Sequence, residues 1–313
     1  MYTIRQPKKI LFGLNSCQSF DFPDNSLLIT SSGTKSRGWI DYLKLKNYEI
    51  FDFVEPNPSM DTVERILSEH NYDYDSVIGL GGGSSLDVAK YVGYKLKKKK
   101  ILIPTTFGSG SEVTRISVLK VNGAKRSFHN DELLSDISII DPFFIKNAPF
   151  TIIKNSAIDA CAQCTEAYDS KLANPYTKFL CKKAFDILEK ALLENKLEDL
   201  AYGAMISGLG FGNSSTTLGH ALSYVFSNEG ISHGHALAFT TMVSHNFNNS
   251  EFYDRFKNLV QKLDFSPIIL KQNLDDAAQL IQLDRKHLDY NPKNVSNEDI
   301  VKLLKKINEN KIF

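Results

Sequence analysis

Residues 77–90, with the sequence VIGLGGGSSLDVAK, constrain the fold of this chain more than any other stretch. Apolar residues typical of a buried strand are followed by Gly81, Gly82 and Gly83, and then by a helix pattern. Consecutive glycines between a strand and a helix let backbone N–H groups approach an anion, and the helix N-terminus adds partial positive charge. Ser84 or Ser85 is expected to cap the helix. The pattern predicts a phosphate-binding turn, and a tight turn without a ligand is the alternative.

The segments before this turn alternate between two patterns. They are a strand at 26–30, a helix at 39–45, a strand at 49–54 and a helix at 61–70. Such alternation predicts a parallel sheet with right-handed crossovers, whose ligands bind beyond the carboxyl ends of the strands. The polar loop at residues 31–38 lies at such an end.

A second polar segment, PTTFGSGSEVT at residues 104–114, directly follows a predicted strand at 101–103. Its glycines and hydroxyls are suited to lining a cofactor at the end of a strand. The hydroxyl side chains in question are those of Thr105, Thr106, Ser109 and Ser111. The composition alone is also compatible with an ordinary polar loop.

The pattern changes near Ala148-Pro149. Before this point a last strand-like segment occurs at residues 137–140, and after it the sequence is helical nearly to its end. The sequence therefore predicts an α/β domain over residues 1–148 and an all-helical domain over residues 149–313.

Composition excludes several classes of partner. The chain has 37 Lys and Arg against 36 Asp and Glu, so its net charge of +1 gives no reason to expect nucleic acid or an anionic membrane surface as a partner. Four cysteines in 313 residues do not make a disulfide framework. No apolar run reaches the length of a membrane span. We therefore expect a cytoplasmic protein.

With these segments, the sequence resembles the iron-containing (group III, metal-dependent) alcohol dehydrogenase family. The matching features are EPNP at 55–58, GGGSSLDVAK at 81–90, PTTFGSGSEVT at 104–114, Asp159, EAY at 166–168, His220 and HG at 233–234. Their order and spacing agree over nearly the whole chain. The resemblance implies a Rossmann-like dinucleotide-binding domain and a helical metal-binding domain (the dehydroquinate synthase-like architecture). It also implies NAD(P)-linked interconversion of alcohols and aldehydes, and it allows a homodimer.

The resemblance also assigns cofactor-binding positions. They are Ser31, Ser32, Lys35, Gly81, Gly82, Gly83, Ser84, Asp87, Thr105, Thr106, Ser109 and Ser111. NAD-preferring members tend to have an acidic residue just after the first strand, whereas this chain has Ser31-Ser32 followed by Lys35 and Arg37. Because hydroxyls and cations suit a 2′-phosphate, NADP(H) is predicted in preference to NAD(H).

The chain departs from the family at one of four implied metal ligands. Asp159, His220 and His233 match, but the family histidine four residues after the aspartate is Gln163 here. An amide oxygen is a weak ligand. Three alternatives remain: a three-ligand site with an open position, as in catalytic zinc sites and the related glycerol dehydrogenases; Gln163 as a weak fourth ligand; or loss of the metal. One divalent ion, zinc or iron, is expected, and the missing imidazole favours zinc.

Other histidines are weaker candidates. His235 is two residues from His233, and residues at that spacing on a helix point to different faces. The histidines at 70, 129, 245 and 287 have no such company in the sequence and are expected at the surface or in the core.

The expected chemistry uses the metal ion as a Lewis acid on the substrate oxygen and the nicotinamide as the hydride carrier. His220 takes part as a ligand. Tyr224 occupies a position where the family often has a further histidine, and it is expected to relay a proton if a nearby cation lowers its pKa. A packing tyrosine is the alternative, with water or the cofactor ribose as the proton source.

The predicted function is a metal-dependent NAD(P)H-linked oxidoreductase that interconverts a small aldehyde or ketone and its alcohol, acting as an aldehyde reductase. One alternative is a relative of the polyol or sugar-phosphate dehydrogenases and cyclases with a three-ligand zinc site. Another is a nucleotide-binding homologue with weak or no catalysis, which the Gln163 departure motivates.

Overall fold

The computed structural model describes residues 1–70, 73–146 and 148–311. The chain divides into two compact units, Thr3–Ala148 and Pro149–Phe313, and the second also includes Met1–Tyr2. The first unit combines strands and helices, whereas the described part of the second is built from helices.

The strands of the described residues are β1 (Lys9–Phe12), β2 (Ser26–Ile29), β3 (Tyr48–Phe51), β4 (Ser76–Gly81), β5 (Lys99–Pro104), β6 (Ile116–Val121), β7 (Ala124–His129) and β8 (Ile137–Ile140). The helices of the first unit are α1 (Ser32–Ser36), α2 (Trp39–Tyr42), α3 (Met60–Glu69) and α4 (Gly83–Leu96). Those of the second unit are α5 (Phe150–Asp169), α6 (Pro175–Glu194), α7 (Leu197–Phe211), α8 (Leu218–Asn228), α9 (His233–Asn248), α10 (Tyr253–Lys262), α11 (Leu274–Gln282), α12 (Arg285–Asp289) and α13 (Asn297–Asn308).

Six strands of the described chain form one parallel sheet in the order β1-β8-β5-β4-β2-β3. Alternate residues of β2 and β4 belong to different apolar clusters: Leu27 and Val77 to one, Leu28 and Ile78 to the other. Side chains alternate between the two faces of a strand, so the sheet is covered on both sides. This explains why its central strands are continuous apolar runs, and it confirms the predicted α/β fold class.

The order of the strands brings three predicted cofactor segments to one edge of the sheet. The glycine turn follows β4, the segment at residues 104–114 follows β5, and the segment at residues 31–38 follows β2. Because β4 lies between β5 and β2, their carboxyl ends are neighbours. The N–H of Thr105 donates to the carbonyl oxygen of Gly81 over 2.9 Å, which joins two of these segments directly.

Two local features of the first unit differ from the predictions. Residues 31–38 are not only a loop, since Ser32–Ser36 forms the short helix α1. Strands β6 and β7 form an antiparallel hairpin that the sequence patterns above do not include. Asn122 and Gly123, both with positive φ, form its turn, and Asn-Gly between alternating residues is a recognised hairpin signal.

The regular secondary structure in the described part of the second unit is all helical, as the sequence pattern predicts. Two of its longer helices, α6 and α13, begin with a capping box. In the capping box at the start of α13, Ser296 accepts from the N–H of Asp299 and Asp299 accepts from that of Ser296. Within the described ranges, no helix combines the length and the apolar character needed to span a bilayer.

Candidate functional site

Helix α5 presents the first two residues of the predicted metal site. Asp159 and Gln163 lie one turn apart, and Nε2 of Gln163 donates to Oδ1 of Asp159 over 2.9 Å. Gln163 is 5% exposed, and its Oε1 has no hydrogen-bond partner within the described part of the chain. The structure therefore places the amide of Gln163 against the carboxylate of Asp159 and buries an acceptor next to it.

Helix α8 supplies His220, whose ring is fixed by a buried carboxylate. Nδ1 of His220 lies 2.6 Å from Oε2 of Glu166, which also accepts from the N–H groups of Thr217 and Gly219 through its two oxygens. Nε2 of His220 lies 3.6 Å from Oδ1 of Asp159. A carboxylate bound to one imidazole nitrogen sets the orientation in which the other nitrogen meets a metal ion, and Glu166 is placed for this role.

His233 is the first residue of α9. The hydroxyl of Ser223 donates to the carbonyl oxygen of His220 over 2.7 Å and lies 3.4 Å from Nδ1 of His233. Since the proton of this hydroxyl is already used, Nδ1 of His233 is the donor to Ser223, which leaves Nε2 as the nitrogen that a metal ion would bind. Nε2 lies 4.0 Å from Oδ1 of Asp159.

Two glycines allow α8 and α9 to approach neighbouring helices closely. A Cβ on Gly219 would lie 2.8 Å from Cα of Thr241 in α9, and a Cβ on Gly234 would overlap the backbone carbonyl of Asn155 in α5. Each glycine is the chain neighbour of a predicted ligand histidine, so the helices can pack closely next to the ligands.

The three side chains form a cluster with the donors of a metal site. Among the described residues, one ligand atom each from Asp159, His220 and His233 lie within 4.8 Å of one another. Ligands of a tetrahedral ion with bonds of about 2.0–2.1 Å are about 3.3 Å apart, so a modest inward movement of the side chains suffices. One carboxylate and two imidazoles suit zinc and ferrous iron. These residues therefore fit the ion that the resemblance implies.

His235 lies outside this cluster. Its Nε2 is 2.7 Å from the backbone carbonyl oxygen of Ser266. Of the two histidines in the His-Gly-His segment, the structure thus brings only His233 to Asp159 and His220.

The charge of His220 is set by its two carboxylate neighbours. Burial disfavours the imidazolium, but the charges of Glu166 and Asp159 outweigh it and raise the pKa of His220 from 6.5 to about 9. Burial likewise disfavours the Glu166 carboxylate, yet His220 and the N–H of Thr217 lower its pKa from 4.5 to about 2. At neutral pH the pair is imidazolium and carboxylate, so a metal ion must displace a proton from His220.

Tyr224 lies beside the cluster. Its ring is parallel to that of His233, with centroids 6.0 Å apart. Burial, followed by the charges of Asp284 and Asp159, raises the pKa of the phenol. Proton relay by Tyr224 would need a cation that offsets these carboxylates, and it stays a prediction.

The sequence patterns miss two residues next to the cluster, Asp284 and His287. The ring of His287 is stacked on that of His220 with centroids 6.2 Å apart and meets Tyr224 edge-on at 5.7 Å. Its Nδ1 lies 2.7 Å from Oδ2 of Asp284. His287 is buried, which agrees with the expectation that it lies at the surface or in the core, and it packs beside the cluster. The sequence signal was the i, i+3 spacing of this acid and histidine, which links them to each other but not to His220.

In the first unit, the glycine turn presents the start of α4. The helix begins at Gly83 with Gly82 as its N-cap, and no side chain caps it. The prediction that Ser84 or Ser85 caps this helix is wrong, because both serines lie inside its first turn. N–H groups without a side-chain cap at a helix N-terminus are suited to a phosphate.

Predicted hydroxyl residues pack against this turn. A Cβ on Gly82 would lie 3.2 Å from Oγ1 of Thr106, and one on Gly83 would lie 2.9 Å from the side chain of Ser109. The glycines are therefore needed for the close approach of the hydroxyl-bearing segment, whatever else they bind.

Asp87 and Ser111 are engaged with one another. The Ser111 hydroxyl donates to Oδ1 of Asp87 over 2.6 Å, and Oδ2 accepts from the N–H of Val118 at 3.0 Å. Nζ of the fully buried Lys90 lies 3.1 Å from Oδ1. These contacts tie α4 to β6, and a role of Asp87 or Ser111 in cofactor binding stays a prediction.

The segment after β2 contains an ion pair that the sequence does not predict. Nζ of Lys35 lies 2.5 Å from Oδ2 of Asp52, which follows the neighbouring strand β3. In the same segment, the Ser31 hydroxyl lies 3.2 Å from the hydroxyl of Thr34, and Ser32 is the first residue of α1. The guanidinium of Arg37 donates to the carbonyl oxygen of Gly33. One predicted cation of the cofactor site thus has an acidic partner within its own unit.

A parallel-sheet unit with a glycine turn, followed in the same chain by a helical unit with a carboxylate–imidazole cluster, defines a class of two-unit protein. The chain belongs to the iron-containing alcohol dehydrogenase family. The family model described as iron-containing alcohol dehydrogenase matches residues 7–142, and the model of the C-terminal part of the Fe-containing alcohol dehydrogenase family matches residues 153–283. This confirms the resemblance.

Individual proteins of known sequence or structure are also similar to this chain. The 4-hydroxybutyrate dehydrogenase of Clostridium kluyveri is 32% identical over 209 residues, which are 57% of this chain and 56% of that protein, so the match spans little more than half of each. An iron-containing alcohol dehydrogenase structure from Thermotoga maritima has a TM-score of 0.90 at 24% identity and covers 99% of this chain and 100% of that one. The sulfoacetaldehyde reductase of Bifidobacterium kashiwanohense, solved with NAD+, has a TM-score of 0.85 at 21% identity over 98% and 99%. These structures show a shared fold.

Proposed function

We propose that this protein is a metal-dependent NAD(P)(H)-linked oxidoreductase that reduces a small aldehyde to its alcohol and catalyses the reverse reaction. The observation that carries the proposal is the cluster of Asp159, His220 and His233, whose ligand atoms lie within 4.8 Å of one another. Membership of the iron-containing alcohol dehydrogenase family adds support.

Three side chains hold the ion in this proposal. Asp159 neutralises part of its charge, Glu166 holds His220 by Nδ1, and Ser223 holds His233 by Nδ1. When bound, the ion supplies Lewis-acid polarisation of the carbonyl oxygen of the substrate. We assign zinc in preference to iron, because a carboxylate and two imidazoles with an open position form a common catalytic zinc site.

The first unit binds the dinucleotide in this proposal. The start of α4 receives the pyrophosphate, since Gly82 and Gly83 keep the backbone open there and no side chain caps the helix. NADP(H) is the proposed cofactor, because Ser31, Ser32 and Lys35 offer hydroxyls and a cation to a 2′-phosphate. The pairing of Lys35 with Asp52 weakens that cation, so the preference for NADP(H) over NAD(H) is expected to be small.

The four cysteines are buried and free. Free thiols are typical of a reducing compartment, and we place the enzyme in the cytoplasm on this basis.

The experiment is a screen of NADPH and NADH oxidation with small aldehydes that are neutral, hydroxylated or carboxylated, after loading with zinc or ferrous iron. Metal-dependent turnover of at least one aldehyde is expected. Asp159→Ala should lose this turnover and still bind NADPH, because Asp159 belongs to the helical unit. Cofactor binding without turnover of any aldehyde under either metal would contradict the proposal and favour a nucleotide-binding homologue without catalysis.

A further inference from the structure

Gln163 differs from the predicted ligands in how it contacts the cluster. Its Nε2 donates to Oδ1 of Asp159 over 2.9 Å, and this oxygen is the one that lies 3.6 Å from Nε2 of His220 and 4.0 Å from Nε2 of His233. The amide therefore binds the very atom that faces both imidazoles.

The orientation of this amide has a physical reason. Turning the amide by 180° would place Oε1 about where Nε2 lies, close to Oδ1 of Asp159. Two oxygens at that distance with no proton between them repel each other, whereas an N–H donor to a carboxylate forms a charge-assisted hydrogen bond. The carboxylate thus dictates that the N–H side of Gln163 faces it.

We propose that Gln163 is a positioning residue for Asp159 and not a fourth metal ligand. The hydrogen bond fixes Oδ1 toward His220 and His233, in the way that a partner of a ligating carboxylate fixes it for a metal. The buried Oε1, which has no partner among the described residues, is left to accept a hydrogen bond from a water or an alcohol hydroxyl that enters the site. This proposal rests on the proposed function, since it assumes that Asp159 binds the ion.

A double-mutant cycle tests the proposal by the zinc affinity of the full-length protein in competition with a chelator. Gln163→Met keeps the length of the side chain and removes the donor. It should weaken zinc binding about 10- to 100-fold, the range typical for the loss of a hydrogen-bond partner of a ligand. In the Asp159→Ala background the same change should have almost no effect, because Gln163 acts through Asp159. An equal loss in both backgrounds, or no loss in either, would overturn the proposal.

Gln282→Met is the matched control. Nε2 of Gln282 donates to the carbonyl oxygen of Val295 over 3.2 Å, and its Oε1 accepts from Nη1 of Arg285 over 3.4 Å, so the same chemical change removes an amide donor and acceptor elsewhere in the helical unit. Zinc affinity should stay at the wild-type value. A loss like that of Gln163→Met would mean that any such change perturbs the unit, and it would refute a specific role.

A second readout covers the case in which Asp159→Ala binds zinc too weakly to measure. Side-chain amide NMR of the wild type, with Gln163→Met to assign the signal, should show a slowly exchanging Gln163 amide proton both with and without zinc. Loss of this protection on zinc binding would show that the amide turns to ligate the ion. If the wild type bound neither zinc nor iron, the proposed function would fail. If the wild type binds zinc normally but Gln163→Met has the same effect on zinc affinity in both backgrounds, only the role of Gln163 is refuted.

Discussion

His220 has a carboxylate near each ring nitrogen, Glu166 at 2.6 Å from Nδ1 and Asp159 at 3.6 Å from Nε2. Both carboxylates favour the imidazolium, although burial opposes it. A metal ion bound at Nε2 replaces the proton on that nitrogen, while the proton on Nδ1 stays hydrogen-bonded to Glu166. The same carboxylates that hold the proton therefore attract the ion that replaces it.

This competition predicts a pH dependence of metal binding. The pKa of His220 is raised from 6.5 to about 9, so its stabilising contribution to the metal-free protein is complete below pH 6.5 and is lost as pH rises through about 9. Zinc affinity should therefore increase about tenfold per pH unit from about pH 7 and level off above about pH 9. Competition with a chelator at several pH values checks this. Glu166→Gln should shift the plateau to lower pH, and a zinc affinity independent of pH over this range would contradict the assignment.

The ion pair of Lys35 and Asp52 leads to a prediction on the cofactor. Asp52→Asn keeps the shape of the side chain and removes the charge that engages Lys35. The ratio of kcat/KM for NADPH to that for NADH should rise several-fold, because an unpaired ammonium is a stronger partner for a phosphate. Lys35→Met should lower the same ratio. If neither change altered the ratio, the segment after β2 would not distinguish the 2′-phosphate of NADPH from the 2′-hydroxyl of NADH.

At the scale of single residues, the sequence predicts the site only where residue type carries the chemistry. Asp159, His220 and His233 are predicted because they match the ligand positions of the family that the chain resembles, and because carboxylates and imidazoles are donors that metals require. His287 and Asp52 are not, because their roles depend on contacts with residues distant in the sequence, made by the packing of α12 on α8 and the pairing of β3 with β2.

At the scale of elements, the start of α9 is held against α5 through Gly234, where a side chain would overlap the carbonyl of Asn155. His233 directly precedes this contact and takes its position from it. The ligand geometry is thus tied to the packing of two helices, and not only to the rotamers of the ligands.

Gly234→Ala should push the start of α9 away from α5. We expect a loss of stability of about 1–3 kcal/mol, as is typical of overpacking, together with at least a tenfold loss in zinc affinity. Denaturant unfolding and chelator competition measure the two effects. Gly230→Ala is the control, because its Cβ meets nothing within 4 Å and only its φ of +90° is strained. An equal loss of zinc affinity in both variants would show that packing against Asn155 is not the cause.

The elements themselves were predictable to different degrees. The alternation of apolar strands with helices predicts the parallel sheet, because strands buried on both faces leave a strong signal. Helix α1 has five residues, which is too short for a helical period to be read from sequence. The hairpin of β6 and β7 did carry a signal, Asn122-Gly123 between alternating residues, that the strand–helix pattern did not take into account.

At the scale of the whole molecule, the two units bear different predicted ligands, the dinucleotide in Thr3–Ala148 and the ion in Pro149–Phe313. A ligand that binds only the folded state suppresses local opening where it binds. Hydrogen exchange should therefore slow in α5, α8 and the start of α9 when zinc alone is added. With NADPH alone it should slow at the turn between β4 and α4. If zinc alone slowed exchange at that turn and left exchange in α5 unchanged, the assignment of ligands to units would be contradicted.

Asp159 and His220 are about 60 residues apart along the chain, and His233 follows after a further turn between helices. An ion bound by all three acts as a cross-link that shortens the loops of the chain, much as a disulfide does, but one that any strong chelator removes. A chelator would therefore lower the free energy of unfolding of the helical unit as well as remove the ion from the proposed active site. The folded state would be least stable where the free metal concentration is low.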